Sequence, residues 1–402
     1  MSEPRTPAYY NWLFVAALVY LLLVGVGVIG AGFKWVSGGE QGAALIFSFA
    51  SSPIIGVILG VLATALVQSS STVTSVIVGL VAGGVPVAIA VPMIMGANMG
   101  TTVTNTIVSI GSINDRESFK RSFQAATVHD FFNFYSIVIF LPIEVAFHPL
   151  ERAAGYLSAR LSGGSGAAVD ELNFLGALTK PLAKAVLQLC HALPEVAGIP
   201  LGGYLAIVAG VGLVIASVLL LGRLLRSVML GRAKDFVQLA IGRNAFSGVA
   251  SGMAVTVMVQ SSSTTTSLIV PLAGAGVLTL KQVFPFTMGA NIGTCITALL
   301  AATSVGGIHQ DWALQIALVH LLYNLLAVTL FLAIPWLREL PLLSARWLGE
   351  LTERNRAYAF VYLFAVFFLL PGLVLARQAL WPGEETQPLP EAPAAPVDFK
   401  VE

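Results

Sequence analysis

The sequence predicts an all-α integral membrane protein made of two inverted-topology repeats. Each repeat holds a re-entrant helical hairpin with a QSSS tip and a discontinuous transmembrane helix. Three observations predict this. Of 402 residues, 56% are hydrophobic and 10% charged, with a mean hydropathy of +0.85. A polar stretch occurs twice in this oily chain, as VQSSSTVTS from Val67 and VQSSSTTTS from Val259. The distribution of Lys and Arg gives the two copies opposite orientations.

Near-uncharged runs at 13–32, 119–143, 203–221, 312–336 and 357–375 are long enough to cross a hydrocarbon core of roughly 30 Å. The first follows a single Arg5 and has no clean small-residue cleavage site, so it is expected to be a retained span rather than a signal peptide. Residues 52–67 would form a helix of only ~22 Å, too short to cross comfortably. The helix after Ser71 is expected to break at Gly83-Gly84 and Pro86. Together the two predict a hairpin with Gln68 to Ser71 at its tip. Residues 87–110 are interrupted by Gly96, Ala97, Asn98 and Gly100, which predicts a discontinuous crossing. The second copy follows the same plan, with a hairpin at Gln260 and a crossing interrupted at Gly289, Ala290 and Asn291.

The duplication extends past the serines. Gln68 and Gln260 are 192 residues apart (260 − 68). Asn98 of MGANMGT and Asn291 of MGANIGT are 193 apart. His129 and Asn133 precede His320 and Asn324 by 191. One order at nearly constant spacing identifies two homologous halves. The chain divides into an N-terminal segment with the first span (1–42), repeat one (43–144), an extracytoplasmic connector with an interfacial helix (145–199), a span with a basic cytoplasmic loop (200–243), repeat two (244–336), an interfacial segment with the last span (337–380) and a tail (381–402). Within the connector, 172–189 alternates apolar and basic residues around Pro181 and is expected to lie along the membrane interface. The tail is Pro-rich and acidic and is expected to be disordered. Arg223, Arg226, Arg232, Lys234 and Arg243 stand against only Asp235, which places that loop in the cytoplasm. Counting crossings back from it puts the connector outside and the loop at 116–121 inside. The first hairpin and crossing then start outside and the second start inside, with the two termini on opposite sides.

Irregular backbone at membrane depth is tolerated only where protein buries it or water lines it. Helix ends there offer N–H groups to an anion and carbonyls to a cation. Ser, Thr and Gln side chains can serve either. Two such tips meeting in mid-membrane would bind a small ion. No His/Cys cluster is present, so a transition metal is not expected. Neither motif contains Arg or Lys, so an oxyanion there needs a co-bound cation, and hard oxygen donors suit an alkali ion. Cys190 and Cys295 lie in different contexts; no disulfide framework or structural zinc is expected, and whether the two pair stays open. A net charge of +1 offers no argument for nucleic acid, and neither a nucleic-acid partner nor an organic cofactor is expected.

Taken alone, His129, His320, Asn133 and Asn324 suit inter-helix hydrogen bonding as well as function. Asp130 breaks the symmetry, because its counterpart is Leu321. A carboxylate inside a span is costly and marks an ion path or a buried pair. An intramembrane serine hydrolase would need a G-x-S-x-G elbow, which is missing. A channel could use the same oxygen donors, but inverted repeats favour a transporter.

The paired QSSS motifs, the paired GAN-[MI]-GT motifs, ATVHDFFNF from Ala126 and ERNRAYAFVYLF ahead of the last span resemble the type II sodium–phosphate cotransporter family. The resemblance covers about residues 51–335, and the short connector and tail resemble a bacterial member. It implies sodium-driven symport of inorganic phosphate by a multi-pass protein of the plasma membrane, with sodium as coupling ion. Another small oxyanion, or an ion channel, is the alternative. The resemblance implies phosphate contacts from Ser69, Ser70, Ser71, Ser261, Ser262 and Ser263; Gln68, Asn98, Thr101 and Asn291 of the same motifs complete the candidate phosphate set. It implies a sodium site from Gln260, Ser261, Thr294 and Thr297, and a further cation site from Asp130, Asn133 and Asp115. Members with Asp at the Asp130 position are implied to move net charge. Ser112 stands where members have Gln, a departure near Asp115.

Overall fold

The computed structural model describes residues 8–38, 42–43, 46–47, 50, 52–163, 167–193, 200–240, 244–305 and 310–380. Arg5, Arg243 and the tail 381–402 lie outside the described residues, as do the side chains of Arg226, Arg232, Lys234 and Asp235. Every described element is helical. Among the described residues, seven stretches are long and apolar enough to cross a membrane: Tyr10–Ser37, Val87–Ile110, Arg116–Phe147, Leu201–Leu225, Leu280–Thr303, Gln310–Ala333 and Ala357–Leu380. They include all five continuous runs and both interrupted ones.

Helix α1 (Ala8–Ser37) lies along α9 (Leu201–Ala240). Between them the chain forms α2 (Pro53–Val67), α3 (Ser70–Ala82), α4 (Val87–Gly100), α5 (Val103–Ile110) and α6 (Arg116–Phe147). The second half repeats the plan with α10 (Ala245–Val259), α11 (Ser262–Gly274), α12 (Leu280–Thr303) and α13 (Gln310–Ala333). The paired short helices match in length: α2 and α10 have 15 residues each, α3 and α11 have 13. The connector is two helices, α7 (Pro149–Gly163) and α8 (Ala167–His191). After α13 come α14 (Pro335–Arg354), α15 (Ala357–Phe364), a π-helical turn at Ala365–Leu369 and α16 (Leu370–Leu380).

Pro53 starts α2 with its ring at the first turn, where no N–H is needed. Gly84, at φ 112°, ends the segment after α3 in a conformation that a side chain would oppose. The first long crossing is interrupted at Thr101 and Thr102, just past the glycines of its motif.

Both crossings depart from the sequence expectation: α4 runs unbroken through Gly96, Ala97, Asn98 and Gly100, and its break falls only at Thr101 and Thr102. Helix α12 runs unbroken through Gly289, Ala290 and Asn291. The physical reason is that these glycines serve close packing rather than unwinding. A Cβ on Gly289 would run into the backbone carbonyl of Val249 on α10, and one on Gly96 into that of Val57 on α2. Each glycine lets the short helix lie against the crossing backbone to backbone.

The halves are interleaved. Phe132 of α6 packs edge-on against Phe284 of α12 and Phe331 of α13, at centroid distances of 6.0 and 5.0 Å. Conversely Ile316, Val319 and Tyr323 of α13 are buried in the core built around Ile94 and Met95 of α4. Helix α11 packs on α6, and α3 packs on α12 and α13.

Gly289→Ala should therefore lower the thermal unfolding temperature in detergent, since overpacking of this kind costs about 1–3 kcal/mol. Gly212→Ala is the control, because nothing lies within 4 Å of a Cβ added there. It should leave the temperature unchanged or raise it. Equal behaviour of the two variants would contradict the close-packing role.

Candidate ion-binding site

The site begins with two turns of identical build. Gln68 closes α2 and Gln260 closes α10, each in the left-handed region, at φ 55° and φ 53°. Their backbone N–H groups donate to Thr64 and Thr256. The next residue reverses role. Ser69 is extended and its Oγ accepts the N–H of Thr72 at 3.3 Å; Ser261 does the same for Thr264 at 3.2 Å. A Gln-Ser dipeptide thus ends one helix and caps the next. The free N–H groups that begin α3 and α11, with their positive dipole ends, lie at these tips.

Both tips open on one cavity of about 460 Å³. Gln68, Ser69, Gln260, Ser261 and Ser263 line it, with Thr104 of α5. Among the described residues, no lining residue is charged. Ser70, Ser71 and Ser262 are buried in the first turns of α3 and α11 and do not line it. Thr297 Oγ1 donates to Gln260 Oε1 at 2.9 Å, so two members of the proposed sodium set touch. Thr294 and Thr101 are buried and bond back to carbonyls of their own helices, Ala290 and Ala97.

Beneath the tips, the two GAN asparagines exchange partners across the halves. Asn98 Nδ2 donates to Asn324 Oδ1 at 3.0 Å, and His320 Nε2 donates to Asn98 Oδ1 at 3.0 Å. Reciprocally, Asn291 Nδ2 donates to Asn133 Oδ1 at 2.8 Å, and His129 Nε2 donates to Asn291 Oδ1 at 2.7 Å. Asn133 Nδ2 adds a bond to the carbonyl of Asn98. Because an amide oxygen only accepts, both imidazoles carry a proton on Nε2. All six side chains are buried. In this conformation Asn98, Asn291 and Asn133 are thus engaged within the protein.

The remaining predicted residues stand apart. Asp130 is 1% exposed; its Oδ2 accepts the hydroxyl of Tyr362 at 3.0 Å, and its Oδ1 has no partner among the described residues. It lines a second cavity, of about 410 Å³, with Tyr362, Val57 and Met99. Asp115 caps α6, accepting the N–H of Ser118 at 2.6 Å, and is exposed. Asp130 lies fifteen positions further along the same helix, about 22 Å away. The structure therefore does not gather Asp130, Asn133 and Asp115. Cys190 and Cys295 are both buried free thiols.

Three residues escaped the sequence reading. Thr104 is the equivalent of Thr297 at the same 193-residue shift, and applying the shift would have found it. Its Oγ1 is buried without a partner among the described residues, whereas that of Thr297 is bonded to Gln260. Asn105 Oδ1 accepts Thr266 and Ser267, tying α5 to α11; its counterpart is Ala298, so the repeat gives no signal. Tyr362 could have been sought as the donor for a lone carboxylate in a span.

Seven candidate spans and an internal uncharged cavity between two helix-end pairs define a multi-pass membrane protein with an internal polar site. The Na+/Pi-cotransporter family model matches two stretches, residues 21–148 and 213–339, one on each half. The chain belongs to that family. It is 30% identical to human sodium-dependent phosphate transport protein 2B over 90% of its length, and 33% identical to mouse protein 2A over 89%. It is likewise 32% identical to the rat 2A protein. It spans about 65% of the length of these curated relatives. No solved structure matches it.

A double-mutant cycle tests the asparagine exchange. Asn291→Leu strands the donor of His129 and an acceptor on Asn133, at about 1–3 kcal/mol for each group left unpaired. Asn133→Leu and the double variant complete the cycle, read by thermal unfolding. A coupling energy on the order of 0.5–3 kcal/mol is expected; additive losses would mean the exchange is not energetically linked.

Proposed function

We propose that this chain is a secondary transporter of the plasma membrane that carries inorganic phosphate into the cell with sodium. The observation that carries the reading is that both Gln-Ser tips line one cavity with no charged side chain among its described lining residues. An oxyanion there meets serine hydroxyls and the positive ends of α3 and α11. With no Lys or Arg to balance it, the anion requires a co-bound cation. Gln260, Ser261, Thr294 and Thr297 are assigned to sodium, a role that the Thr297–Gln260 bond supports. Ser69, Ser70, Ser71, Ser261, Ser262 and Ser263, with Gln68, are assigned to phosphate, so that Ser261 serves both ions. Asn98, Thr101 and Asn291 serve it by holding the tips in place. Family membership supports the substrate pair, since the relatives are named for sodium-dependent phosphate transport.

In this reading α2–α3 and α10–α11 are re-entrant hairpins. Helices of 15 and 13 residues, roughly 20–22 Å long, turn back before crossing. The halves run in opposite directions, as the basic stretch from Arg223 implies; this stretch is not the loop expected from sequence but the continuation of α9 to Ala240, and the ion site between the halves is exposed alternately to each side. An enzymatic role is not part of the reading. Asp130 carries an extra cation, so the cycle moves net charge.

Radiolabelled phosphate should accumulate in proteoliposomes against its own gradient when sodium is high outside. Replacing sodium with potassium should abolish accumulation. Equal uptake in potassium would sink the coupling, and uptake only down the phosphate gradient would make the protein a channel.

Asp130→Asn should keep sodium-driven phosphate uptake while losing its dependence on membrane potential, measured at two valinomycin-clamped potentials. Full wild-type voltage dependence in the folded variant would remove Asp130 from charge coupling.

A further inference from the structure

Helix α8 plays no part in the transport reading, yet it carries a basic face against the membrane-spanning α1. Between them lies a cavity of about 420 Å³. Its floor is made of small and apolar residues, including Gly27, Gly30 and Ala31 of α1, Ala82 at the end of α3 and Ala183 of α8. Leu23, Leu187 and Val305 extend that apolar surface. Three lysines also line the cavity: Lys34 of α1 with Lys180 and Lys184, one helical turn apart on α8. All three are exposed, and no acidic residue lines the cavity among the described residues. Gly27 leaves real space, since nothing lies within 4 Å of a Cβ placed on it.

Helix α8 is held to α1 at two points, near its middle and at its C-terminal end. Tyr20 of α1 donates its hydroxyl to the carbonyl of Leu178, and Trp35 stacks on His191 at 3.9 Å between centroids. The groove is therefore a fixed feature between two anchored helices. Its chemistry is amphipathic: an apolar floor, and beside it ammonium groups with no carboxylate partner among the described residues. Lysine stems cover apolar surface while the charged ends reach outward, and each ammonium near a membrane surface favours anionic lipid.

We propose that the α1–α8 groove is a binding site for one anionic phospholipid, its acyl chain on the Gly27–Ala183 floor and its phosphate among Lys34, Lys180 and Lys184. The site is separate from the cavity between the Gln-Ser tips, and it does not depend on what that cavity transports. Binding there would tie the helical connector to α1 and to the ends of α3 and α12, where Ala82 and Ser304 line the groove.

The test is native mass spectrometry of the delipidated full chain, titrated with palmitoyl-oleoyl phosphatidylglycerol or with phosphatidylcholine of the same chains. Three proteins are compared: wild type, the triple variant K34Q/K180Q/K184Q, and Gly27→Leu, which fills the floor. Gel filtration confirms that each is monodisperse, and Ala183→Leu is the second floor-filling variant. Wild type should prefer phosphatidylglycerol roughly tenfold or more. The triple variant should bind the two lipids alike, and the floor-filling variants should lose the tightly held lipid of either headgroup. The proposal is overturned if the triple variant keeps the preference, or if filling the floor leaves binding intact. It is also overturned if inorganic phosphate at the lipid's concentration displaces the lipid, which would make the groove a small-anion site.

Discussion

Asn98 and Asn291 each take their side-chain partners from the opposite half of the chain, and the rest of the arrangement follows from that exchange. The crossing helix that bears each asparagine is clamped by a His and an Asn, four residues apart, on the last helix of the other half. These groups lie where water cannot serve them. Any one left unpaired costs about 1–3 kcal/mol, so the six side chains form together or not at all. The apolar packing repeats the pattern, with Phe132 inserted among residues of the second half and Ile316 and Val319 among those of the first. Neither half can bury its last helix alone.

That interlock sets where the Gln-Ser turns lie. Gly96 and Gly289 hold the short helices α2 and α10 against the clamped crossings, and the turns at Gln68 and Gln260 are carried along with them. Two turns of the same build thereby share one cavity. A pair of helix ends supplies partial charges but no full charge, which suits an ion pair better than a lone ion. In the proposed cycle the absence of lysine and arginine from the cavity is what makes phosphate depend on sodium. The tips are also not equivalent: Gln260 is bonded to Thr297, while the Thr104 hydroxyl has no partner among the described residues. This difference supports placing the sodium site in the second half.

Much of this was legible in the sequence because repetition exposes it. The short helix ending at Val67 and the end of the next one were readable from the length of 52–67 and from Gly83-Gly84 and Pro86. The spans were readable from composition, and the three motifs from their constant spacing. The purpose of each glycine was not readable. Gly96 and Gly289 look alike as helix breakers and as close-packing residues, and only the carbonyls of Val57 and Val249 decide between these uses. The pairing of His129 with Asn291 and of His320 with Asn98 was equally hidden, because a repeat shows what is equivalent and not what is in contact. Asp130 was visible as an anomaly, but its partner Tyr362, 232 residues away in sequence, was not.

The central claim is that one ion site is shared by both turns. A cryo-electron map of the protein in sodium and phosphate tests it most directly. The account predicts tetrahedral density in contact with both Ser69 and Ser261, and a smaller peak beside Gln260 and Thr297. Phosphate density touching a single turn, or lying in the cavity beside Asp130, would contradict it.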